Sequence, residues 1–148
     1  MLAPTIHASA VLIGAHAVLI RGPSGSGKSR LALDLLDAAD KRLLRFARLI
    51  GDDRVHLEAA HGRLLVRPAA ALAGMLEVRG LGIREVPYES IGRVGLVIDL
   101  GAPDAERLPS PDAAETDVSG IRLPRLAVAA GAAPLPLVLA ALRANTRM

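Results

Sequence analysis

The octapeptide Gly22-Pro23-Ser24-Gly25-Ser26-Gly27-Lys28-Ser29 constrains this chain more than any other stretch, because it fits the pattern G-x-x-x-x-G-K-[ST]. The apolar, strand-like run Ala17 to Ile20 precedes it and the helix-like run Leu31 to Leu36 follows. In this strand-loop-helix setting the segment reads as a phosphate-binding loop. Glycines let the backbone curl until successive N–H groups face one anion, and the following helix adds the positive end of its dipole. Lys28 is positioned to reach the outer phosphates of a nucleotide, and the Ser29 hydroxyl to ligate magnesium. Lysine is scarce in the chain: Lys28 and Lys41 are the only two, every other long cation being arginine.

A length of 148 residues suits one domain with one core, so residues 1–148 are expected to form a single phosphate-binding unit. Phe46 and Tyr88 are the only aromatic residues, which leaves almost nothing for nucleobases to stack on. The net charge of +3 comes from arginines scattered along the chain and nearly matched by acids, so no nucleic-acid partner is expected. With no cysteine there is no disulfide framework or thiolate metal site. Met1 to Ala10 lacks the basic start and apolar centre of a signal peptide. The uncharged run Leu126 to Leu142 is short and broken by Gly131, Pro134 and Pro136, so it predicts a strand and a helix rather than a membrane span. A cytoplasmic protein is expected.

Taken in order, Thr5 to Ile13 and Ala17 to Ile20 predict two strands turned at Gly14-Ala15-His16, and Lys28 to about Ala39 a helix with Leu31, Leu35 and Leu36 on one face. Phe46 to Ile50 predicts a strand ending at Asp52-Asp53. Those carboxylates either sit beside the phosphate loop, to hold magnesium or accept a proton, or form a solvated Asx turn. Val55 to Glu58 and Arg63 to Val66 predict strands turned at His61-Gly62, and Leu72 to Met75 a helical turn. In Glu77-Val78-Arg79-Gly80-Leu81-Gly82-Ile83 the glycines mark a bend or bulge, while Glu77 has the chemistry for a magnesium shell and Arg79 for phosphate. Val94 to Leu100 and Ile121 to Val128 predict late strands, Gly101 to Pro111 a solvated loop, and Leu135 to Ala144 a closing helix.

In their order and spacing, the phosphate loop, the pair Asp52-Asp53 and the segment Glu77 to Ile83 resemble the catalytic domain of the HPr kinase/phosphorylase family. Members of that family phosphorylate a serine on HPr, the small carrier protein of the bacterial phosphotransferase system. The resemblance runs from about His7 to Arg107 and suggests a form reduced to the catalytic domain. It implies an α/β fold, a P-loop-containing mixed β-sheet domain of the phosphoenolpyruvate-carboxykinase-like arrangement. It also implies ATP and Mg2+ as cofactors, an HPr-like phosphocarrier as partner and assembly as a hexamer.

Carried over by position, the resemblance makes Asp53 the proton acceptor in phosphorylation and the donor in the reverse reaction. Lys28 becomes the loop lysine, and Ser29 and Glu77 the magnesium positions. His7 and Arg107 match a catalytic histidine and arginine; on residue type alone, each also reads as a structural or solvent-facing side chain. Asp52, Arg79, Gly80 and Gly82 are assigned to substrate binding. Arg30 departs from the acidic residue that larger members carry after the loop. Pro124-Arg125 is at most a remnant of the loop associated with dephosphorylation, which leaves kinase activity better supported than phosphorylase activity. A small-molecule kinase and a non-catalytic nucleotide sensor are the other uses of such a loop.

Overall fold

The computed structural model of the chain describes residues 3–145. Its strands are β1 (Ile6–His7), β2 (Ser9–Ile13), β3 (His16–Arg21), β4 (Ala47–Gly51), β5 (Arg54–Ala60), β6 (Arg63–Pro68), β7 (Met75–Val78), β8 (Gly82–Glu85), β9 (Gly92–Leu100), β10 (Glu115–Val118) and β11 (Ile121–Val128). Helix α1 spans Lys28–Asp40 and α2 spans Pro134–Asn145. One sheet runs β1-β5-β6-β9-β3-β2-β4, with β11 added along β9 and β10 along β11. Strands β7 and β8 pair only with each other. The sheet is mixed, as expected: β3–β9 and β9–β11 are parallel, while pairs such as β2–β3 and β2–β4 are antiparallel.

Strand β3 is apolar from Ala17 to Ile20, where it is covered on both faces. Val18 and Ile20 pack with Leu31, Leu35 and Val138 beneath the two helices, whereas Ala17 and Leu19 join Val55, Leu64 and Val66 on the opposite face. Leu31, Leu35 and Ala38 recur on the buried side of α1. The period of the sequence thus fixes which face of α1 lies down.

Several boundaries differ from expectation. The run Thr5 to Ile13 divides at Ala8: Ile6 and His7 pair with Val55 and Arg54, while Ser9 onward pairs with β3 and β4. Glu77 to Ile83 is the centre of a hairpin, not a bulge. Its turn is closed by the Leu81 N–H donating to the Val78 carbonyl at 2.9 Å, with Gly80 at φ 86. The helical turn lies at Ala70–Leu72, so Met75 opens β7 instead of closing a turn. Helix α2 begins at Pro134, ahead of the expected Leu135.

Behind the phosphate loop lies an ion-pair cluster. Arg21, the residue before Gly22, meets Asp99 through Nε–Oδ1 and Nη2–Oδ2 contacts of 2.7 and 2.8 Å. Arg125 Nε donates to Asp99 Oδ2 at 2.6 Å, and its terminal nitrogens donate to Asp104 at 2.8 and 3.0 Å. The guanidinium of Arg125 is thereby committed to the scaffold. Burial pulls the Asp99 carboxyl upward, but its bonds to Arg21 and Arg125 outweigh this and hold it below the usual carboxylate range.

A carboxyl with a depressed folded pKa contributes stability that is complete above its unfolded pKa and is lost as pH falls through the folded value. Asp99→Asn is therefore expected to cost about 2–3 kcal/mol at neutral pH, by leaving Arg21 without its carboxylate and Arg125 with Asp104 as its one acidic partner. The urea-unfolding curves of variant and parent should converge progressively as pH drops below about 4.

Candidate functional site

Helix α1 is entered through Gly27, at φ 99 in the left-handed region where a Cβ is disfavoured. The loop before it leaves no room at Gly22: an added Cβ would come within 2.5 Å of Ser26 Oγ and 3.0 Å of the Leu100 carbonyl oxygen. Lys28, 7% exposed, donates to the Gly22 and Pro23 carbonyls at 2.7 and 3.0 Å. Burial lowers its pKa below the ordinary lysine value, and the nearby carboxylates of Asp53 and Asp52 offset part of that fall. The Ser26 hydroxyl is buried without a hydrogen-bond partner, an arrangement that costs roughly 1–3 kcal/mol.

Asp52 and Asp53 follow β4 directly but take opposite roles in the geometry. Asp52 is 4% exposed, and its carboxylate accepts from three elements. Ser9 Oγ of β2 donates to Oδ1 at 2.7 Å, Ser29 Oγ of α1 lies 2.8 and 2.9 Å from the two oxygens, and the Glu77 N–H of β7 donates to Oδ2 at 3.1 Å. Such a carboxylate orients the loop serine; it has no surface to offer a macromolecule. Asp53 faces out, with its backbone at φ 70 and its Oδ1 accepting from His7 Nε2 at 2.7 Å. Strand pairing explains this meeting, since β1 sets His7 opposite Arg54, beside Asp53. Asp53 Oδ2 has no hydrogen-bond partner among the described residues.

His7, Lys28, Ser29, Asp53, Glu77 and Arg79 line one cavity of about 520 Å³. The structure thus gathers residues from β1, the phosphate loop, α1, the turn after β4 and the β7–β8 hairpin. Ser24, Gly25 and Gly27 line it too, whereas Pro23 and Ser26 turn to the loop's other flank. Gly80 and Gly82 are exposed and shape the hairpin turn. Arg107 is exposed on the loop after β9 and is not among the cavity's lining residues. Arg30 pairs with Asp34 one helical turn on, at 3.1 Å.

Sequence reasoning missed Ser9, which bonds Asp52 and also accepts from the Asp53 N–H at 3.3 Å. A serine in an apolar strand carries no signal that distinguishes it from filler. No group of three or more His, Asp or Glu side chains with metal-holding spacing occurs among the described residues. The donors present, a hydroxyl, a buried carboxylate and an exposed one, suit Mg2+, which keeps several waters and relies on one or two carboxylates plus substrate phosphates. Among the described residues no helix is long and apolar enough to cross a membrane.

Comparison with known proteins gives a consistent result. The HPr kinase/phosphorylase of Clostridium tetani is 39% identical over 101 residues, covering 67% of this chain and 30% of the relative. That of Streptococcus sanguinis is 31% identical over 135 residues, covering 84% and 41%. The chain therefore spans well under half the length of these curated relatives. The solved structure of the HPr(Ser) kinase/phosphatase from Coxiella burnetii superposes with a TM-score of 0.74 at 27% identity, over 98% of this chain and 97% of that one. The family model described as the HPr Serine kinase C-terminal domain matches residues 1–130, which include every strand and loop that builds the cavity. With fold, loop and match in agreement, the chain belongs to the HPr serine kinase C-terminal domain family.

Proposed function

We propose that this chain is an ATP- and Mg2+-dependent serine kinase acting on an HPr-like phosphocarrier protein of a bacterial phosphotransferase system. The observation that carries the reading is the pairing of a cationic phosphate loop with an outward carboxylate in one cavity: Lys28 and Asp53 line the same 520 Å³ space. The loop amides and Lys28 hold the phosphates, while Asp52 fixes the Ser29 hydroxyl, which would be a ligand of the metal when it is bound. Magnesium, when bound, neutralises charge between the outer phosphates, with Ser29, Asp52 and Glu77 as its candidate ligands.

Asp53 takes the proton of the acceptor serine through Oδ2, and His7 holds Oδ1 so that the carboxylate keeps its aim. Arg79 lies where it can meet the phosphates or the acceptor. Arg107 joins only if the loop after β9 closes over the site. The reading extends to the phosphoenolpyruvate-carboxykinase-like arrangement of the sheet, to hexameric assembly and to the cytoplasm. Phosphorolysis, in which Asp53 would protonate the leaving serine oxygen, is the less supported direction, since Arg125 is bound up with Asp99 and Asp104.

Incubation with labelled ATP, magnesium and a panel of HPr-like proteins, followed by mapping of the modified residue, tests the proposal. Transfer to one serine of the carrier is expected. Transfer to small molecules alone would instead support a metabolite kinase, and nucleotide binding without transfer a sensor.

A further inference from the structure

A second cavity, of about 310 Å³, lies on the opposite flank of the phosphate loop. Its walls are Pro23 to Ser26, Leu100-Gly101 at the end of β9, Val128 to Ala132 at the end of β11, and Pro134 at the start of α2. We propose that this cavity takes the base and sugar of the nucleotide. The inference rests on the nucleotide-dependent reading above and specifies how the ligand straddles the loop.

Three observations lead there. First, in-line transfer places the attacking hydroxyl and the departing diphosphate on opposite sides of the transferred phosphorus. Asp53, which follows β4, marks the attacking side together with the His7 bonded to it, on the flank of β3 where β2 and β4 lie. The departing part of the nucleotide therefore leads across the loop, toward the flank of β9 and β11. Second, that flank is where the parallel strands β3, β9 and β11 present their carboxyl ends, the place where open α/β sheets leave a crevice for a ligand. Third, the chemistry divides between the two cavities. The larger one is lined by His7, Lys28, Asp53, Glu77 and Arg79, and has to admit both the terminal phosphate and a protein side chain. The smaller one is lined by proline, glycine, alanine, leucine and valine with Ser24 and Ser26, has no charged side chain, and its volume falls at the lower end of small-ligand sites.

Two local details fit an occupant of this kind. The Ala132 N–H donates to the Ala129 carbonyl at 3.1 Å with Gly131 at φ 82, so the far wall is a fixed tight turn. Ser26, in the wall shared with the phosphate loop, carries the buried hydroxyl that lacks a partner. A sugar or inner-phosphate oxygen would supply one.

Ala130 and Ala132 are exposed, so enlarging either leaves the core untouched. Calorimetry with ATP and with inorganic tripolyphosphate, each with magnesium, separates the base subsite from the phosphate cradle. Ala130→Leu and Ala132→Leu are expected to weaken ATP at least about fivefold while leaving tripolyphosphate unchanged, as loss of a few apolar contacts does. ATP affinity that stays the same or rises in both variants overturns the proposal, as does an equal loss for both ligands. If the parent protein binds neither ligand, the nucleotide reading itself fails. If it binds both and the variants behave alike, only the subsite fails. As a second measurement, photolabelling with 8-azido-ATP should mark residues 129–134. Labelling confined to Arg30 to Asp37 would overturn the assignment.

Discussion

Asp53→Asn is expected to lower phosphoryl transfer about 10²- to 10⁴-fold, the range that a positioned general base supplies. An amide of the same size still meets His7 but has no basic oxygen to take the serine proton. ATP affinity at neutral pH should stay close to that of the parent, because the loop amides and Lys28 are untouched. Single-turnover transfer measured beside calorimetric ATP binding separates the two effects, and transfer at the parental rate would remove Asp53 from the role of base. The substitution also has a pH signature. Burial lowers the pKa of Lys28 and the Asp53 carboxylate pushes it back up, so its loss lowers that pKa further. Lys28 is a cation only below its pKa, and the alkaline loss of ATP affinity should therefore begin at lower pH in the variant.

Asp52→Ala is expected to damage stability and turnover together. The carboxylate is buried and receives Ser9, Ser29 and the Glu77 amide, and truncation leaves those donors facing an apolar gap. Hydrogen bonds to a charged acceptor are worth about 1.5–3 kcal/mol each, and they do not add fully. A loss of roughly 3–4 kcal/mol in urea unfolding is the expected result. Turnover should fall by about 10² or more, since the Ser29 hydroxyl, freed of Asp52, no longer holds its position beside the phosphates. Asp52→Asn keeps an acceptor oxygen for the serines and should fall between parent and alanine in both measurements. A normal midpoint in Asp52→Ala would mean that the three contacts do not organise the site.

How much could be read in advance depended on whether the information was local. The phosphate loop, α1 and the turn at His61-Gly62 were legible because glycine placement and apolar spacing act within a few residues. The division of the first strand at Ala8 was not, because it arises from a change of partner, from β5 to β2's neighbours β3 and β4, that no short window contains. Strand β10 escaped notice because Glu-Thr-Asp-Val is a mostly exposed, polar segment held by pairing with β11. At the site, sequence and resemblance pointed to the residues that line the larger cavity, His7, Lys28, Ser29, Asp53, Glu77 and Arg79. They did not show that Asp52 faces inward or that Ser9 supports it, since those facts belong to packing across 43 residues of chain.

The left-handed backbone at Asp53, with φ 70, restricts what evolution can do with this acid. Glycine enters that conformation freely and aspartate and asparagine more readily than most residues, whereas the Cβ of an L residue costs about 1–2 kcal/mol there. Glutamate carries the same headgroup one methylene further out, so it would not meet His7 as Asp53 does. Changing the reach of the acid thus also changes where its carboxylate meets His7.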